Sequence, residues 1–324
     1  MNKIIIIRFS SIGDIVMTSK AIRNLRVRYP KAILHYLTKP QFVDLVVHNP
    51  HIDKVITLDT NLITTIKKLQ LEQYDAVVDL HNNLRSTIIK LVLNKKTVSV
   101  SKNSLAKRWM CITKNTSKKQ VHFADKCVAC LYSFDVKNDG LFLDFYLPQG
   151  FDYQHPITSQ QYICVVVGAL KATKSLPKER LLEMCKSIAK PVVLIGGRAE
   201  INTAQYIANQ LLNCINLCGE LSLLQSAYII KNAEKIITHD TGMMHIAAAF
   251  NKRIYSIWGN TVPAFGMYPF MPSSLSIIAE VQGLKCRPCS HLGFDTCPKL
   301  HFNCMQNQRI DAIANWANKS EHIA

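Results

Sequence analysis

The sequence predicts an α/β chain made of two open, parallel sheets. Three observations predict it. Short continuous apolar runs, of the kind buried on both faces of a parallel sheet, alternate with segments whose apolar residues recur at helical spacing. The chain has only 12 glycines, and Gly13, Gly168, Gly196, Gly197, Gly242 and Gly259 all stand in loops at predicted strand ends. In an open α/β sheet those ends are where ligands bind. Last, the alternation stops once, over a polar stretch at 149–161 where Pro148, Gly150 and Pro156 cluster. The domain boundary is drawn there, giving an N-terminal domain 1–155 and a C-terminal domain 156–324. Two such sheets facing across a cleft suit an enzyme that joins two substrates.

Taken in order, residues 4–9 read as the first strand, and Ser10, Ser11, Ile12, Gly13 and Asp14 as the turn after it. Residues 15–29 carry Ile15, Ala21, Ile22 and Leu25 at helical spacing, and Pro30 ends that helix. Strands are expected at 32–38, 55–58 and 74–80, with helices at 41–48 and 61–73 between them. A further helix is expected at 122–134. The second domain repeats the pattern, with strands at 162–168, 192–195, 215–217, 236–238 and 251–259. Its helices are expected at 178–189, 201–212 and 222–232, in the small-residue run ending at Ala249, and at 309–318. Strand–helix alternation of this kind is the mark of right-handed crossovers. The halves show no detectable sequence repeat.

At 48% hydrophobic and 19% charged, 324 residues suffice for two domains, each with its own core. No apolar run approaches the roughly 18 residues of a membrane span. The apolar block at the N-terminus is too short for a signal peptide, so the expected place is the cytosol. Eleven scattered cysteines suit reduced thiols better than a disulfide framework. Net charge is +17, and residues 1–155 carry most of it, with 23 Lys/Arg against 12 Asp/Glu. The excess gathers at 95–119, where eight Lys/Arg occur with no acid among them. Such a patch attracts phosphates, anionic lipid or a phosphorylated glycan, or is simply solvated. No helix-turn-helix, zinc-finger or RNA-recognition pattern accompanies it, so nucleic acid is not the expected partner.

Asp240, Thr241 and Gly242 form a polar turn between an apolar strand and an Ala-rich helix, with His245 one turn in. A helix N-terminus there offers free N–H groups and the positive end of a dipole to an anion; Asp240 and Thr241 also serve as plain caps. Asp14 at the first strand's turn is a helix cap, or a base or hydroxyl holder in the crevice. The turn lacks Gly-x-Gly-x-x-Gly spacing, which argues against a dinucleotide site, and no Walker loop is present. Lys174, with Lys171 as the alternative, lies in a strand-end loop from which an ammonium can neutralise charge on a leaving phosphate. Glu200 follows a Gly-Gly turn, where carboxylates take ribose hydroxyls. No Asp-x-Asp pair occurs, so lysine and helix N-termini would carry a diphosphate's charge. Cys286, Cys289, Cys297 and Cys304 cluster at spacings that fit a structural metal, disulfides or reduced thiols alike.

With these pieces in place the chain resembles the glycosyltransferase family 9 heptosyltransferases of lipopolysaccharide core synthesis. The matching segments are IIIIRFSSIGD (4–14), DLHNNLRS (79–86), KSLP (174–177), GGRAE (196–200), DTGMMHIAAA (240–249) and GNTVP (259–263). Leu176 stands where the family's lysine loop carries an aromatic residue, and Asn260 where a proline is common. The resemblance implies a GT-B fold of two Rossmann-like domains, with the acceptor on the N-terminal side and a nucleotide sugar on the C-terminal side. It implies inverting transfer without metal or cofactor. Asp14 would then be the general base and Lys174, with the N–H groups of Thr241 and Gly242, the stabiliser of departing ADP. Asp240 and His245 would contact sugar or phosphate and Glu200 the ribose. Ser11, Gly13, His81 and Arg85 would face the acceptor. The implied partners are an ADP-sugar, an anionic glycolipid and the inner face of the cytoplasmic membrane. A non-catalytic GT-B-like binding protein and a sugar-nucleotide epimerase are the alternatives.

Overall fold

A computed structural model describes residues 1–155, 157 and 161–319; Pro156, at the expected boundary, lies outside them. The chain forms two compact units, one of 1–103 and 121–150, the other of 104–120 and the chain from 151 on.

The first unit is one parallel sheet of β1 (Lys3–Ile7), β2 (Ile33–Thr38), β3 (Lys54–Thr57), β4 (Ala76–Asp79) and β5 (Lys96–Ser99), in the order β3-β2-β1-β4-β5. Its helices are α1 (Ile12–Met17), α2 (Ser19–Arg28), α3 (Leu62–Leu71), α4 (Leu84–Leu93) and α6 (Phe123–Ala129). Ile4, Ile5, Ile6 and Ile7 of the central strand are each at most 1% exposed, as the continuous apolar run requires. Each such side chain stabilises the fold by about 2 kcal/mol relative to an exposed one. Ile5, Ile7, Leu37 and Val77 pack with Ile66 and Leu69 of α3 and Ile89 of α4.

The second unit holds α5 (Ser104–Thr113) and a six-stranded parallel sheet. Its strands are β6 (Ile163–Val166), β7 (Val192–Ile195), β8 (Cys214–Asn216), β9 (Lys235–His239), β10 (Arg253–Trp258) and β11 (Ile277–Glu280), in the order β11-β10-β9-β6-β7-β8. The helices are α7 (Lys178–Lys186), α8 (Ile201–Ala208), α9 (Leu223–Asn232), α10 (Gly242–Ala249), α11 (Asn303–Gln306) and α12 (Ile310–Asn318). Strand order reverses between β1 and β4 in one sheet and between β6 and β9 in the other. Those are the two points where a doubly wound sheet opens a crevice.

Several expectations are corrected. The helix expected at 15–29 is two helices parted at Thr18, and Asp14 lies inside the first of them, not in the turn before it. The side chain of Thr18 donates back to Ile15 O at 2.6 Å, a local bond that competes with helix continuation. The segment expected as a helix at 41–48 is a 3-10 turn, Pro40–Leu45. The helix at 122–134 ends early and gives way to a 3-10 turn, Tyr132–Phe134. β5 and β11 are edge strands without a long apolar run, so periodicity did not mark them.

Candidate active site

In the second unit, four loops leave the carboxyl ends of the neighbouring strands β10, β9, β6 and β7. The loop after β6 carries Lys174. Its backbone is tied from two sides: Leu176 N donates to His239 Nε2 at 3.1 Å, and the Thr173 hydroxyl donates to Phe294 O at 2.9 Å. The loop's lysine then reaches across the strand reversal. Lys174 Nζ lies 2.7 Å from Asp240 Oδ2, with both side chains largely buried. The Thr261 hydroxyl, from the loop after β10, donates to that same oxygen at 2.9 Å. Three loops, far apart in sequence, thus meet on one carboxylate. Lys171 instead turns to the exposed Asp295, 3.0 Å away.

Asp240 leads directly into α10. Thr241 is its N-cap residue in extended conformation, Gly242 its first residue, and no acid sits in its first turn. The first turn's N–H groups have no partner within the helix, so a positive pole faces the Lys174–Asp240 pair. His245 is buried one turn further along. Glu200, after β7, folds back so that its Oε2 accepts from Gly197 N at 2.8 Å. Its carboxylate fills the space at Gly168, where an added Cβ would stand 2.3 Å from Glu200 Oε1. A side chain at this position would displace the Glu200 carboxylate, because the carboxylate of one loop lies against the backbone of the next.

The segment 281–302, apart from turns, has no regular structure, yet it braces these loops. Buried Arg287 donates through Nη2 to Thr261 O at 2.9 Å and through Nε to Gly259 O, and pairs with Glu280 at 3.1 Å. Cys289 N donates to Asn260 O. All eleven cysteines are unpaired, burial pushes the Cys289 and Cys304 thiols up to about 11, and among the described residues no three His, Cys, Asp or Glu side chains are arranged to hold a metal ion.

In the first unit the strand reversal carries Asp14. Buried Arg8, ending the apolar run of β1, pairs with Asp14 Oδ2 at 2.8 Å and donates to Ser10 O and Leu80 O, each at 2.6 Å. The Ser11 hydroxyl donates to that carboxylate oxygen at 2.7 Å and the Ser11 N–H at 3.2 Å. Asp14, the third residue of α1, thus closes a capping box with the N-cap Ser11 and is fixed beside a guanidinium, and it is still partly open to solvent. Gly13 is buried behind it. The His81 ring packs against Phe9 at a tilt, with ring centroids 4.7 Å apart. Burial first, then Arg8 and Lys102, lower its pKa to about 4, so it is neutral at pH 7. Below it, fully buried Asp79 accepts from the N–H groups of His81 and Asn82 and from the Ser86 hydroxyl and pairs with Lys90, fixing the loop. Arg85 lies exposed on the first turn of α4 and is not drawn into this group.

Sequence reasoning missed Arg8, Thr261, His239 and Arg287. A charge closing an otherwise apolar strand was the available signal for Arg8; the others depend on contacts across the fold. His239 yields a test. Burial lowers its pKa to about 4, and its Nε2 must stay unprotonated to accept from Leu176 N. A base depressed in the folded state stabilises fully above the unfolded value near 6.5, and that stability is lost as pH falls toward 4. Between pH 7 and 5 this residue alone should cost about 2 kcal/mol. Urea unfolding across that range should show the slope, and His239→Gln, which keeps an acceptor but does not titrate, should flatten it. An unchanged slope in the variant would put its origin elsewhere.

Comparisons with known proteins bear on the family and the fold. The family model described as Glycosyltransferase family 9 (heptosyltransferase) matches residues 62–292. Lipopolysaccharide heptosyltransferase 1 of Campylobacter coli is 26% identical over 297 residues, which cover 80% of this chain and 84% of the relative. The solved ADP-heptose lipopolysaccharide heptosyltransferase II of Escherichia coli superposes with a TM-score of 0.70 at 20% identity, over 96% of this chain and 98% of that one. A family 9 glycosyltransferase of Veillonella parvula gives 0.76 at 19% identity, over 98% and 96%. The fold class is GT-B, with two Rossmann-like α/β domains. With these matches over a chain whose two strand reversals carry Asp14 and the Lys174–Asp240 pair, the protein belongs to glycosyltransferase family 9 (heptosyltransferase).

Proposed function

We propose that this glycosyltransferase moves a heptose, or a related sugar, from an ADP-sugar to the inner core of lipopolysaccharide, with inversion and without a metal. The observation that carries the donor half is the Lys174–Asp240 pair at the N-terminus of α10. On this reading the first unit holds the acceptor and the second the nucleotide sugar. Asp14 takes the proton from the acceptor hydroxyl as that oxygen bonds the anomeric carbon. The bond from that carbon to the diphosphate oxygen breaks on the opposite face. Lys174 and the N–H groups of Thr241 and Gly242 take up the charge that develops on ADP. Asp240 keeps the ammonium in place until the diphosphate arrives and, with His245, contacts sugar or phosphate. Glu200 takes the ribose hydroxyls. Ser11, Gly13, His81 and Arg85 face the acceptor. The names of the relatives support the donor and acceptor classes. An anionic glycolipid acceptor locates the enzyme at the inner face of the cytoplasmic membrane as a peripheral protein.

The test is calorimetric titration of ADP-heptose and of UDP-sugars, in EDTA, followed by transfer to a core-truncated lipopolysaccharide. Binding of the ADP-sugar that survives EDTA, and loss of donor only when acceptor is present, are expected. Preference for UDP-sugars or a need for Mg²⁺ would defeat the donor assignment. Turnover of the nucleotide sugar without acceptor would point to an epimerase instead, and binding without any turnover to a non-catalytic protein.

A further inference from the structure

We propose that α5 is an interfacial anchor that docks the enzyme on an anionic lipid bilayer. The inference deepens the reading above, on which the acceptor is an anionic glycolipid, by naming the element that meets the membrane. The helix has two faces. Met110 is buried and packs with Val262 and Phe265. Leu105, Trp109 and Ile112 fall at i, i+4 and i+7, one stripe along the helix, and are 80%, 66% and 72% exposed. Three large apolar side chains aligned toward solvent are a surface with an occupant missing.

Charge identifies the occupant. Residues 104–120 contain Lys107, Arg108, Lys114, Lys118 and Lys119 and no Asp or Glu. Arg108, Lys118 and Lys119 are exposed, and Arg108 borders the apolar stripe by its helical position. An apolar stripe on a segment whose charges are all basic is the pattern that sinks into the headgroup boundary of an anionic bilayer, with a tryptophan at the level of the headgroups. At ten residues α5 is far too short to cross, and none of the described helices is long and apolar enough to do so. It would therefore lie in the plane of the interface. Its frame is already fixed on the protein side, since Gln120 N donates to Ala264 O at 2.9 Å and Lys114 Nζ to Pro288 O at 2.9 Å. Docking needs no refolding of the segment.

The test is co-sedimentation of the full-length protein with vesicles of phosphatidylcholine alone or mixed with phosphatidylglycerol. Binding to the anionic vesicles only, weakened by salt, is expected, with a blue shift in emission; Trp258 is fully buried and Trp316 half-buried, so the part of the shift that the Trp109 variant loses reports on Trp109. The double variant Leu105→Ser/Trp109→Ser should bind about tenfold more weakly or worse. Lys118→Gln/Lys119→Gln should bind about tenfold more weakly. Both should keep wild-type transfer to a detergent-dispersed acceptor. Equal binding to neutral vesicles, or unchanged binding in both variants, overturns the proposal. So does an oligomer that the first variant dissociates while its vesicle binding stays intact, because the face would then belong to a second copy of the chain. The vesicles contain neither donor nor acceptor lipopolysaccharide, so failure here leaves sugar transfer standing, and failure of ADP-sugar binding leaves docking standing.

Discussion

Asp14→Asn is expected to lower kcat by about 10²- to 10⁴-fold, the range general-base catalysis supplies. The change is nearly isosteric. The amide oxygen of the new side chain can still accept from Ser11 N, so the start of α1 should survive. Arg8 loses its counter-charge but keeps the carbonyl oxygens of Ser10 and Leu80. A stability loss of about 1–3 kcal/mol is expected from the broken pair. Affinity for the ADP-sugar should stay within a few-fold of wild type, because Asp14 belongs to the first unit and the donor groups to the second. Transfer kinetics beside donor titration and a thermal melt separate these effects. A folded variant that keeps kcat within about threefold would remove Asp14 from the base role, since no proton-transfer contribution is that small.

Lys174→Ala is expected to cost about 10²- to 10³-fold in kcat and to weaken ADP-sugar binding by about tenfold. The ammonium is the one side-chain cation that pairs with Asp240 among the described residues. Without it the carboxylate keeps only the Thr261 hydroxyl of that pair of partners and would repel the diphosphate it now helps to receive. The control is Lys171→Ala. Lys171 sits on exposed Asp295, and its loss should change kcat by no more than about threefold. If the two variants fell equally, general surface charge would account for the effect, and Lys174 would have no special place.

The central strands were legible because a parallel strand buried on both faces must be a continuous apolar run, as in β1, β6 and β7. What periodicity could not show is who meets whom. Lys174 and Asp240 could each be singled out from local sequence, but their contact follows from β6 and β9 being neighbours, although three crossovers, through α7, α8 and α9, separate those strands in the chain. The same holds for His239 under Leu176 and Arg287 under Thr261. α5 escaped notice as an element because its apolar residues are divided between two faces, and only burial tells which of them is core. Asp14 was read as the end of a turn although Ser11 and Asp14 stand at the spacing of a capping box, which starts α1 at Ile12. Its bonds with Ser11 close that box.

The path of the chain bears on how hybrid enzymes of this family could be made. Residues 104–120 leave the first unit, pack with the second, and return before 121. A recombinant joined once, near the apparent boundary at 150, would inherit α5 from one parent and its seat at Val262 and Phe265 from the other. Met110 would then meet a foreign surface. Such a graft would test the match between two parents' cores before it tested any exchange of specificity. Three junctions, at 103/104, 120/121 and 150/151, keep every packed contact of each unit within one parent.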